Sequence, residues 1–160
     1  MSAIDQGGSG REETEGERLD RNLIELLAEM RVAIVGVQVL FAFLLIVPFN
    51  NGFADLNDLQ RYLYLTSLLG AGAATVALVA PIAQHRVTFR LQDKHYIVRS
   101  ANRFALVGLI CLAVAMTAAV SLVTSLVFGT TTGVVVATGT MLAFIGAWGV
   151  LPLRRRRAVR

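Results

Sequence analysis

The chain has 160 residues, 55% hydrophobic and only 16% charged, with a mean hydropathy of +0.62 and a formal net charge of +4. A soluble domain carries roughly 25% charged residues over its surface, so this composition excludes an ordinary water-soluble fold and points to a membrane domain. The basic excess is no nucleic-acid footprint, because it sits in 86–103 and 154–160, beside the ends of long apolar runs.

Residues 1–16 (MSAIDQGGSGREETEG) are rich in Gly, Ser and Glu and bury almost nothing, so a disordered tail is expected. They lack the basic start and apolar run of a signal peptide. Residues 17–31 (ERLDRNLIELLAEMR) read as an amphipathic cytoplasmic helix. Leu19, Leu23, Leu26, Leu27, Met30 and Ile34 form one stripe at helical spacing. Nothing after Arg31 breaks the helix, so it runs into a first span over 32–49, which contains Gln38 and ends near Pro48.

A short loop, 50–58, leads to a second span over 59–83, with Asp58 placed to cap it. Arg61, Tyr62 and Tyr64 sit in its first turns as boundary anchors. The middle, Gly70-Ala71-Gly72-Ala73-Ala74, is all small, and the pairs Gly70/Ala74 and Ala73/Ala77 suit close helix packing. The loop 84–103 holds Arg86, Arg90, Lys94, Arg99 and Arg103 among aromatic and aliphatic residues, and reads as a short interfacial helix. A third span follows over 104–127, then a tight uncharged connection around 128–132. A fourth span over 133–153 meets the basic tail 154–160.

Fourteen of the fifteen Lys and Arg residues fall on one side of these spans; Arg61 is the exception. Lysine and arginine near span ends stay in the cytoplasm. The expected architecture is therefore all-α: a four-transmembrane-helix up-and-down bundle in the plasma (inner) membrane, with N- and C-termini cytoplasmic. The basic loop and tail are placed to meet anionic lipid headgroups.

No phosphate loop, metal-ligand spacing or nucleophile motif occurs, and no enzyme activity, cofactor or metal is expected. Cys111, His85 and His95 read as buried or boundary residues. Apart from Arg61 in the first turn of the second, the spans as bounded above hold no Asp, Glu, Lys, Arg or His, although ion pathways normally use such groups. Gln38, Thr117, Ser121 and Thr124 are candidates for hydrogen bonds between helices. At the cytoplasmic face, Glu25 and Glu29 are four apart on the N-terminal helix, and Arg86, Arg90 and Arg103 lie at or near the ends of spans two and three. These five form a candidate ion-pair layer that fixes how the helix docks.

Two blocks carry a family resemblance. The first runs from Glu17-Arg18-Leu19-Asp20-Arg21-Asn22 through Glu25-Leu26-Leu27, Glu29, Arg31-Val32 and Gly36-Val37-Gln38 to Phe41 and Phe43-Leu44-Leu45. The second comprises Ala80-Pro81, His85-Arg86, Phe89-Arg90, Lys94 and Asn102-Arg103. Over roughly 15–153 the chain resembles small bacterial four-span membrane proteins classed as a domain of unknown function. The resemblance implies an integral plasma-membrane protein, and some similar sequences carry a sodium:proton antiporter label. Two functions are therefore expected: a non-enzymatic structural or accessory membrane protein, self-associating as a homo-oligomer through small-residue faces, or a small oligomeric ion or sodium/proton transporter.

Overall fold

The computed structural model describes residues 15–88, 94–150 and Arg154. Its helices are α1 (Glu15–Ile46), α2 (Asp58–Thr88), α3 (Lys94–Phe128) and α4 (Thr130–Phe144), and no strand occurs among the described residues. Four helical stretches are long and apolar enough to cross a membrane: Ile24–Phe49, Asp58–Gln84, Arg99–Phe128 and Thr130–Val150, the first and last running on past the ends of α1 and α4. The shortest has 21 residues, which meets the roughly 20 that a bilayer core requires.

Helix α1 is continuous across the 31/32 junction. It ends where Pro48, which has no N–H, enters a 3-10 turn over Val47–Phe49. Asn50 then folds back, its side-chain amide donating to the carbonyls of Ile46 at 3.3 Å and Val47 at 3.5 Å. A second 3-10 turn over Asn51–Phe53 leads on to α2.

The cap of α2 is Asn57, one residue before the expected Asp58. The Gln60 N–H donates to Asn57 Oδ1 at 3.0 Å, and the Asn57 N–H donates to Gln60 Oε1 at 3.1 Å. This reciprocal pair is a capping box, which satisfies two otherwise orphaned donors at once. Asp58 becomes the first helical residue, where a negative charge suits the helix dipole. Pro81 lies inside α2 and is buried.

The basic stretch 84–103 is mostly long helix rather than a separate element. Helix α2 runs to Thr88 and α3 starts at Lys94; residues 89–93 lie outside the described ones. At the far end, α3 and α4 are joined by Gly129 alone, with φ +87°, a backbone region that an L side chain rarely enters. Helix α4 thus begins at Thr130, before the expected Gly133. Beyond Phe144 the chain continues as a π-helical segment, Ile145–Val150, where Phe144 and Trp148 stack edge to face at 4.8 Å.

Helices α1, α2 and α3 share two apolar clusters. At the basic end, Met30, Val37, Leu78 and Ala105 meet, with Leu26 packed against them. At the loop end, Leu44, Tyr64, Ala71, Ala115 and Leu122 meet. The N-terminal segment therefore docks against the bundle from Leu26 onward. The α2–α3 crossing is close: a Cβ on Gly108 would lie 2.7 Å from Leu78 Cγ, and one on Gly70 would lie 3.1 Å from Ala115 Cβ.

Helix α4 packs against α3 alone among the described helices. Its span is 6% buried and that of α1 is 11%, against 33% and 39% for α2 and α3. So α2 and α3 form the inner pair, and α1 and α4 flank them. The uncovered surface is apolar: Val32, Phe43, Val76, Val123, Val135 and Leu142 are each more than half exposed. Such a surface is unfavourable in water at about 25 cal/mol per Å², and is what contact with lipid tails requires.

Candidate functional site

Two polar regions stand out against this apolar frame. The first is a seam of hydroxyls and amides inside the bundle. Ser67 on α2 donates across the helix crossing to the Ala115 carbonyl of α3 at 2.9 Å. Tyr64 donates to the Leu44 carbonyl of α1 at 3.1 Å. Ser121 on α3 donates to the Gly133 carbonyl of α4 at 3.1 Å, and Gln60 reaches Ser125 Oγ at 3.5 Å. Thr117 and Ser125 donate within α3, to Ala113 and Leu122. No buried side-chain polar atom among the described residues lacks a partner. The seam therefore joins helices, each bond worth roughly 0.6 kcal/mol and at most ~2.

The second region is the basic end, where two grooves open. The larger, about 540 Å³, lies between α2 and α3; Ala73, Val76, Ala77, Phe104 and Val107 make its apolar walls, with Arg99, Ser100 and Arg103 alongside. Arg99 and Arg103 are both exposed and one turn apart, and neither makes an ion pair among the described residues. Ser100 is held by its hydroxyl donating to Gln84 Oε1 at 3.0 Å. The smaller groove, about 210 Å³, lies where α1, α2 and α3 meet; Glu29 and Asn102 are its polar members among Leu26, Met30, Leu78 and Ala105.

The sequence-derived candidates divide among these regions. Ser121 crosses between helices, whereas Thr117 bonds its own helix and Thr124 is half-buried. Gln38 faces outward from α1, next to the fully buried Val37. Glu25 is exposed, 3.9 Å from Arg21 on the same helix, and exposed pairs of this kind contribute little. Glu29 lines the smaller groove and Arg103 the larger one, on neighbouring faces of α3. Arg90 and the side chain of Arg86 lie outside the described residues.

Ser67, Gln60, Tyr64 and Ser125 were missing from the sequence-derived set. The i, i+4, i+8 row Thr117, Ser121, Ser125 is the ridge that α3 buries, and this spacing was the available signal. Tyr64, expected as a boundary anchor, is 8% exposed. Phe53 folds under the loop and meets its ring edge to face at 5.2 Å.

No group of three or more His, Cys, Asp or Glu side chains with metal-binding geometry occurs among the described residues. The model of a family of unknown function, DUF6328, matches residues 12–152. No curated protein and no solved structure matches the chain.

Proposed function

We propose that this chain, which belongs to the DUF6328 family of unknown function, is a multi-pass plasma-membrane protein with a non-enzymatic structural or accessory role. The observation that carries this reading is the distribution of polar groups. Buried polar side chains bond neighbouring backbone or one another, mostly where helices meet, while the outer surface is apolar along all four helices. That arrangement holds helices together in lipid, and the described residues present no cluster of three or more His, Cys, Asp or Glu side chains that could hold a metal ion.

With the basic end in the cytoplasm, the α2–α3 groove sits at the membrane boundary. Arg99 and Arg103 then face anionic lipid headgroups, each basic residue worth ~1 kcal/mol near such a surface. Glu29 and Arg103 line grooves at this end, and an ion-pair layer of Glu25, Glu29, Arg86, Arg90 and Arg103 would hold the N-terminal segment of α1 under the bundle.

A second reading, a small oligomeric ion or sodium/proton carrier, draws on Glu29. Its carboxyl lines a groove within the stretch Ile24–Phe49, and ionisable groups at such positions are functional candidates. Purified protein in liposomes loaded with pH- and sodium-sensitive dyes separates the two readings. The structural reading expects no flux above protein-free vesicles; coupled flux lost on Glu29→Gln would replace it with the carrier.

A further inference from the structure

We infer that the outward face of α1 is an interface between two copies of this chain, centred on Gln38. The inference rests on the membrane reading above. Gln38 is exposed and makes no hydrogen bond among the described residues. Thr138, outward on the fourth span, does not share its difficulty: its hydroxyl donates to the Val134 carbonyl four residues back in its own helix.

Depth makes the exposure costly. Gln38 lies six residues after Val32, the first residue beyond the last charge of the N-terminal segment, and eleven before Phe49. At 1.5 Å per residue these distances are about 9 Å and 16 Å. A two-methylene stem does not carry the amide to either boundary, and lipid tails offer no hydrogen-bond partner.

The chemistry selects the occupant. A primary amide carries both donors and an acceptor, so it is its own complement. Two copies inserted with the same topology place Gln38 at the same depth. A two-fold axis along the membrane normal then lets each amide donate to the other's oxygen. The surrounding residues fit such a pair: Val35, Gln38, Ala42 and Leu45 are all exposed and recur at steps of three, four and three residues. This is the seam spacing of a left-handed helix pair. Only 11% of the α1 span is covered within one chain, so the face is available.

The test uses the full-length chain carrying Cys111→Ser in lipid vesicles at high lipid dilution. Ala42→Cys on the seam should form a disulfide-linked dimer on mild oxidation; Val134→Cys, exposed on α4, should not. Gln38→Leu should weaken association roughly 5- to 30-fold, and Gln38→Asn, which retains the amide, should recover most of it. Monomeric Ala42→Cys, equal cross-linking at both positions, or no change with Gln38→Leu would each overturn the interface. Carbonate extraction separates the two levels of failure. A chain washed off the membrane defeats the membrane reading itself, whereas a retained but monomeric chain defeats this inference alone.

Discussion

Replacing Gly133 by alanine adds one methyl where α4 meets α3. The new Cβ would sit 2.8 Å from Ser125 Cβ, 3.0 Å from the Ser121 carbonyl oxygen and 3.2 Å from Ser125 Cα. All three atoms belong to α3 and two of them to its backbone rather than to a mobile side-chain tip, so the helices must separate. Overpacking of this kind costs about 1–3 kcal/mol. Separation also stretches the bond from Ser121 to the Gly133 carbonyl, worth roughly 0.6 kcal/mol. The better helix propensity of alanine offsets about 1 kcal/mol. A net loss of about 0.6–2.6 kcal/mol follows, which at roughly 2–4 °C per kcal/mol for a chain of this length lowers the melting temperature by about 1–10 °C. Gly139, on the same helix, has nothing within 4 Å of its would-be Cβ. Gly139→Ala should therefore leave stability unchanged or raise it by up to ~1 kcal/mol. Thermal unfolding in detergent, followed by the reaction of Cys111 with a thiol dye, reads both. Equal shifts for the two variants would refute the close α3–α4 contact.

Asn57→Ala should cost about 1 kcal/mol by removing the capping box, and Asp58→Ala markedly less, on the same unfolding assay. Ser67→Ala deletes the α2–α3 hydroxyl bond and should cost ~0.6–1.7 kcal/mol. Arg99→Gln with Arg103→Gln should reduce retention of phosphatidylglycerol, measured by native mass spectrometry, while leaving phosphatidylcholine retention unchanged.

The span-forming stretches were legible in the sequence because crossing a bilayer depends on summed hydropathy and length, which composition carries directly. The end of α1 was legible for a similar reason, since Pro48 acts locally. The cap of α2 was harder. Asn57 and Asp58 are both good capping residues, and only the reciprocal bond with Gln60 favours Asn57. The start of α4 lies before the expected one because Thr130–Thr132 looks like a loop, yet a threonine hydroxyl can satisfy a nearby carbonyl, as Thr132 does with Phe128 at the end of α3, across the Gly129 junction. Which way Gln38 faces could not be read from pattern. In lipid both the packed and the outward sides of α1 are apolar, so periodicity carries no inside–outside signal there. The same argument explains why Ser125, rather than Thr124, joins the buried row: one step along an all-apolar helix leaves hydropathy almost unchanged but rotates the side chain by about 100°.

The claim on which the rest depends is that the four helices cross a membrane with the basic end in the cytoplasm. Single cysteines at Asn51, Thr130 and Arg99, each with Cys111→Ser, test it directly in spheroplasts exposed to a membrane-impermeant maleimide. Asn51→Cys and Thr130→Cys should label in intact spheroplasts, and Arg99→Cys only after permeabilisation. Labelling of Arg99→Cys from outside, with the other two protected, would contradict the account.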